Sequence, residues 1–208
     1  MRCGVVLVLA ALVGGCASHA APPAAPTPVR RRSAPAATGA ALDDLLRGDM
    51  AADQAFAWSA KRPLAWSDFR GSPPPEGSEA AKTSYTLYSV WRCKGEVFAF
   101  RVIAGFRPRQ SWVKTIVLND STQRRTILLH EQTHFDLAEV HARRMRRAFE
   151  DLAHPCARTD TEIQALLRRL TEDEKSEQRR YDDETDHGLI ADQQAGWSRN
   201  VARRLDGS

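Results

Sequence analysis

The stretch LLHEQTHFD, residues 128–136, decides how the rest of this chain is read. It lies in a run of helical period from Ser121 or Thr122 to about Leu152, in which Ile127, Leu128, His134, Leu137, Ala138 and His141 fall near one another. Ser121 is the expected N-cap, with Asp120 just outside it. On this helix His130 and His134 leave the same face one turn apart. Two imidazoles so placed can reach one tetrahedral zinc ion at about 2.0–2.1 Å. Glu131, beside the first imidazole, leans toward the open coordination position, where a carboxylate can take a proton from water. H-E-x-x-H thus supplies two ligands and a base, and leaves a third ligand to be found.

That ligand is not expected on the same helix. No glycine follows His134 to turn the chain back, and His141 lies about 10 Å further along the axis by the helical rise. A second helix begins near Thr159 or Thr161, after the break at His154-Pro155-Cys156, and runs to a stop at Gly188. Packed antiparallel to the first helix, it returns YDDETDHG, residues 181–188, to the neighbourhood of His130. This segment offers Asp182, Asp183, Glu184, Asp186 and His187. Acids at a helix C-terminus oppose the macrodipole, an arrangement that a nearby cation would relieve. A third amphipathic helix runs from about Ile190 or Asp192 to Leu205.

Upstream, three stretches have strand character: TSYTLYSVWRC from Thr83, EVFAFRVIAGF from Glu96 and SWVKTIVL from Ser111. Lys94-Gly95 parts the first two as a hairpin turn. The expected fold is α+β, a small, mainly antiparallel sheet packed on the long H-E-x-x-H helix and on a second antiparallel helix. Trp112 is expected in the core or lining the cleft. A short helix is expected over Leu42 to Met50, and the folded domain over residues 42–208.

Residues 1–16, MRCGVVLVLAALVGGC, have one basic residue and a short apolar run, the pattern of an export signal rather than of a permanent span. Val13-Gly14-Gly15-Cys16 is similar to a bacterial lipobox, with Cys16 as the lipidation site and the periplasmic face of the outer membrane, or secretion, as the destination. Residues 17–41 are alanine, proline and threonine with Arg30 to Arg32, a composition that cannot bury a core and reads as a disordered tether. Cys93 and Cys156 then remain as an even pair in an oxidising compartment and are expected to form a disulfide. The net charge of +4, from 30 basic and 26 acidic side chains, is small. The arginines at 143, 144, 146 and 147 lack aromatic or glycine-rich companions, so a nucleic-acid partner is not expected. Nothing in the sequence sets the oligomeric state.

The landmarks LAWSDFRG, SWV, HEQTHFD, YDDETDHG and QQAGW, in that order over residues 64–205, resemble the bacterial secreted zinc-dependent protease family filed as domain of unknown function 922. The resemblance implies a zincin-like fold, zinc as cofactor and a peptide or protein as substrate. Glu184-Thr185-Asp186-His187-Gly188 is similar to the D-x-x-Y-G element of aspartate-liganded zincins. It implies Glu184 as third zinc ligand and His187 as donor to the oxyanion, with the roles open to exchange, and Asp182 or Asp186 as support to a ligand histidine. A zinc amidase acting on peptidoglycan, or a non-catalytic zinc-stabilised envelope lipoprotein, would share the metal; only a catalyst has a use for Glu131.

Overall fold

The computed structural model describes residues Ala10–Ala11 and 39–207. The lipobox with Cys16, nearly all of the signal and most of the tether lie outside the described residues. Among the described residues there are five α-helices and two small antiparallel sheets, an α+β architecture. None of those helices is long and apolar enough to cross a membrane.

The centre is the hairpin of β4 (Tyr85–Lys94) and β5 (Val97–Phe106), paired in continuous register from Tyr85↔Phe106 to Lys94↔Val97. Gly95, at φ 60°, supplies the left-handed residue of the two-residue turn. Two short strands complete the sheet in the order β1-β4-β5-β2: β1 (Ala10–Ala11) on β4, and β2 (Phe56–Ala57) on β5. A second, two-stranded sheet joins β3 (Ala81–Lys82) to β6 (Trp112–Val113).

Alternation along β4 and β5 gives the hairpin two apolar faces, and both are covered. Tyr88 and Val90 meet Leu42, Leu46 and Met50 of α1 (Gly39–Ala52), a helix that starts three residues inside the expected tether. Tyr85, Leu87, Trp91, Phe100, Val102 and Phe106 meet Phe135, Ala138, Ala142, Met145 and Phe149 of α3 (Ser121–Glu150). Ile163, Leu167 and Leu170 of α4 (Asp160–Thr185) close this main core. Burying one such aromatic or leucine side chain contributes about 1.5–3 kcal/mol, so the larger face anchors α3 against the sheet. A smaller cluster of Leu137, Val140, Tyr181, Trp197 and Val201 fixes α5 (Ala191–Asp206) across α3 and α4.

Three local expectations change. Residues 111–118 were expected as one strand, but pairing lasts only through Trp112–Val113 before α2 (Thr115–Asn119) begins. β6 meets only the two-residue strand β3, so no ladder continues beyond Val113, and the β-branched run turns helical with Val117 buried beside Ile127. Trp112 is buried and is not among the residues lining the cleft. The cap of α3 is Asp120 rather than Ser121; its carboxylate accepts from the N–H groups of Thr122 and Gln123 at 2.8 and 2.9 Å. Helix α4 starts on a capping box between Thr159 and Glu162, and ends at Thr185, short of Gly188, because Asp186 and His187 turn left-handed at φ 46° and 53°. Cys93 and Cys156 form a disulfide with Cα atoms 5.6 Å apart, tying the end of β4 to the α3–α4 turn.

Candidate metal centre

His130, Glu131 and His134 are all nearly fully buried on one face of α3. The two Nε2 atoms lie 3.0 Å apart. The carboxylate that reaches them is Asp182 of α4, whose Oδ1 sits 2.8 Å from His134 Nε2 and 3.2 Å from His130 Nε2. Oδ1 is buried and has no other hydrogen-bond partner. Three donor atoms thus stand at the edges of a small triangle. Ligands held by a tetrahedral zinc at about 2.0–2.1 Å would be about 3.3 Å from one another. Residue types and spacing therefore fit that ion.

The far side of each imidazole is engaged. His130 Nδ1 meets Gln194 Oε1 at 3.1 Å, and His134 Nδ1 meets Gln178 Oε1 at 2.7 Å. An amide oxygen only accepts, so each Nδ1 carries a proton, and each Nε2, once it has given up any proton of its own, can offer a lone pair inward. Burial alone lowers the pKa of His134, but Asp182 and Glu131 outweigh it and raise the group to about 9. Burial likewise raises the Asp182 carboxyl, and the two histidines more than reverse this, holding it well below the usual range. The cluster therefore has a strong preference for a positive charge at its centre, whether proton or cation.

Glu131 turns its carboxylate into the same cavity, and its Oε2 has no hydrogen-bond partner. The cavity encloses about 550 Å³. Its walls are the segment 78–83 that carries β3, the first turns of α3 at Thr122, Gln123, Thr126 and Ile127, and the turn after α4 from Asp186 to Leu189. The segment 111–118 does not line it; β3 does. Thr83 fixes that wall to the helix by donating to the Glu131 carbonyl at 3.1 Å.

Two of the expected residues fall differently. Glu184, named above as third ligand, is half exposed, accepts from Trp197 Nε1 at 2.8 Å and lies 3.9 Å from Arg180. It clips α5 to α4, and the place between the histidines belongs to Asp182. His187 stands at the rim, 56% exposed, with Nδ1 3.7 Å from Asp182 Oδ1. Candidate ligand atoms of His130, Asp182 and His187 all lie within 4.8 Å of one another. Gly188 makes this packing feasible: at φ 87°, a Cβ there would lie 2.9 Å from His130 Cβ.

The sequence reading missed Gln178, Gln194 and the anchoring half of HEQTHFD. Gln132 and Asp136 face away from the cluster. Gln132 accepts from the Leu64 N–H at 2.6 Å and donates to Asp136 at 2.7 Å, and Asp136 accepts from Trp58 Nε1 at 2.7 Å. Burial raises the Asp136 carboxyl, while Trp58 and Gln132 pull it back. These bonds strap residues 58–64 of the chain across α3.

Residues 107–188 match the model of a family described as bacterial protein of unknown function, DUF922. The match supports the family of the resemblance over the part of the chain that carries HEQTHFD and YDDETDHG, and its description carries no activity. No curated protein and no solved structure matches the chain.

Proposed function

We propose that the chain is a zinc-dependent hydrolase with a zincin-like site, acting on peptide bonds in the cell envelope. His130, His134 and Asp182 would hold the metal. One observation carries this reading: two Nε2 atoms and one carboxylate oxygen converge at 2.8–3.2 Å, beside a buried carboxylate, that of Glu131, with an oxygen that has no partner.

A zinc ion bound there would supply Lewis acidity, making water more acidic and a substrate carbonyl more electrophilic. Glu131 takes a proton from the attacking water and delivers it to the leaving amine. His187, at the rim and open to solvent, donates to the oxygen on which negative charge develops. The wall at Ser78–Thr83 offers backbone groups along the length of the cavity to an extended chain. The disulfide supports an oxidising compartment, in keeping with export and with a lipid anchor at Cys16.

Glu131→Gln tests the reading directly. The variant is expected to keep one zinc per chain and to lose hydrolysis of an unfolded protein substrate; undiminished turnover would remove Glu131 from the chemistry. Cleavage of a peptidoglycan fragment in place of the polypeptide would move the same chemistry to a cell-wall amide. Zinc binding with neither activity would leave a structural metal.

A further inference from the structure

The metal cluster has a second layer made of two glutamines and no carboxylate. Gln178 of α4 presents Oε1 to His134, while its Nε2 donates to the His134 carbonyl and to Glu174, both at 3.1 Å. Glu174 in turn accepts from the Tyr85 hydroxyl of the central hairpin. Gln194 of α5 presents Oε1 to His130 and also accepts there from the Tyr181 hydroxyl at 2.7 Å. Its Nε2 donates to Ser198 at 3.1 Å and to Thr133 at 3.4 Å. Both amides are thus committed at their nitrogen end. Neither can rotate to offer an N–H to an imidazole without breaking buried bonds, which would cost about 1–3 kcal/mol for each polar group stranded.

We propose that Gln178 and Gln194 are positioning residues that lock His130 and His134 as Nε2 donors to the metal. This rests on the metal reading of the site. The choice of amide over carboxylate has a physical reason. Glu174 already puts a buried acid against Gln178, and a carboxylate at 178 would add repulsion where a neutral acceptor gives the same direction. The two glutamines also tie each ligand to a different element. His134 is held through α4 and the sheet, and His130 through α5, so the site closes only when both helices are docked.

The test is zinc affinity of the purified protein, measured by competition with a chromophoric chelator, together with the thermal midpoint of the metal-free form. Gln178→Met and Gln194→Met are each expected to weaken zinc binding by about 10–100-fold, with the metal-free midpoint lowered by the buried partners they leave unbonded and the protein still folded at the assay temperature. Gln194→Glu is expected to restore affinity to within about threefold of the parent, because the hydroxyls of Thr133, Ser198 and Tyr181 can turn to donate to a carboxylate. At position 178 Glu174 would face a second acid, so the rescue is read at 194. Independently of any variant, the zinc-loaded parent is expected to show two exchange-protected imidazole N–H protons at low field in its proton spectrum. Unchanged affinity in both Met variants, a loss at 194 that Glu does not restore, or absence of those protons would overturn the proposal and leave the metal site standing. Failure of the parent to bind zinc would instead remove the site on which it rests.

Discussion

Helix α3 carries two buried histidine stations that look alike in sequence and differ in their bonding. At the first, His130 and His134 face Asp182; at the second, one turn pair further on, His141 faces Glu177 at 2.7 Å. Both carboxylates come from α4. Glu177 is closed: besides His141 it accepts from Arg204 at 2.8 and 2.9 Å and from Arg180 at 3.2 Å. Asp182 Oδ1 accepts nothing, although two imidazole nitrogens stand within 3.2 Å. The His141–Glu177 station is satisfied within the fold, whereas the His130–His134–Asp182 station leaves a buried carboxylate oxygen without a hydrogen bond, the contrast on which the proposed metal site rests.

The widest break between the two stations is expected in metal affinity. Asp182→Ala should weaken zinc binding by more than about a hundredfold, beyond the 10–100-fold range for loss of an outer partner. Glu184→Ala should leave affinity unchanged, because it loses the Trp197 bond and a long, exposed ion pair with Arg180, about 1 kcal/mol of stability. Chelator competition on both variants checks the pair; equal losses would return Glu184 to the ligand set. Next in size, His187→Ala is expected to keep zinc and lower kcat by about 10²–10³-fold, the range for one oxyanion donor, as read by steady-state kinetics. His141→Ala should do the opposite, keeping zinc and turnover while costing about 2–4 kcal/mol of folding stability from the cavity and the exposed edge of the Glu177 network. Denaturant titration measures that loss.

The two stations also part in their response to pH. His134 has a folded pKa raised to about 9 from 6.5, so in the metal-free protein its stabilising contribution is full below about 6.5 and is lost as pH rises through 9. A metal must displace that proton, and zinc affinity is expected to rise up to about tenfold per pH unit until about pH 9. For Glu177, burial raises the carboxyl, but His141 and Arg204 outweigh it and hold it down to about 2. Its contribution is present above about 4.5 and lost as pH falls toward 2. Metal-free thermal midpoints recorded across acid pH should therefore show a decline in that window, which His141→Ala reduces.

Half of the site was open to reading from HEQTHFD, because four-residue spacing on a helix fixes a face without help from the rest of the fold. The hairpin and its turn and the break at Pro155 were legible for the same reason, since each is a local signal, while the Cys93–Cys156 pair followed from an even cysteine count. The carboxylate that faces the two histidines was not legible, because helical phase along α4, and not the spacing within YDDETDHG, decides which acid turns inward. The buried positions of α4 are Ile163, Leu167, Leu170, Thr171, Glu174, Gln178, Tyr181, Asp182 and Thr185, steps of three and four carried down one stripe. Extending that stripe from the leucines selects Asp182, and Glu184 is about 200° around the helix from it. The same stripe contains Gln178, which composition marks as an ordinary polar residue. β6 was overestimated because strand propensity in 111–118 is real, but the partner strand is two residues long.

The disulfide bears on the site from the opposite end of the molecule. Cys156 leads into α4, whose axis from Asp160 to Asp182 is roughly 33 Å long. A slip of one residue between α3 and α4 would advance Asp182 by about 1.5 Å and swing it by about 100°, leaving His130 and His134 without their carboxylate. By tying the α3–α4 turn to the rim of the hairpin, the Cys93–Cys156 bond adds to the core packing of α3 on α4 in resisting such a slip. The geometry of the His130, His134 and Asp182 cluster is in that sense supported by a covalent bond formed far from it.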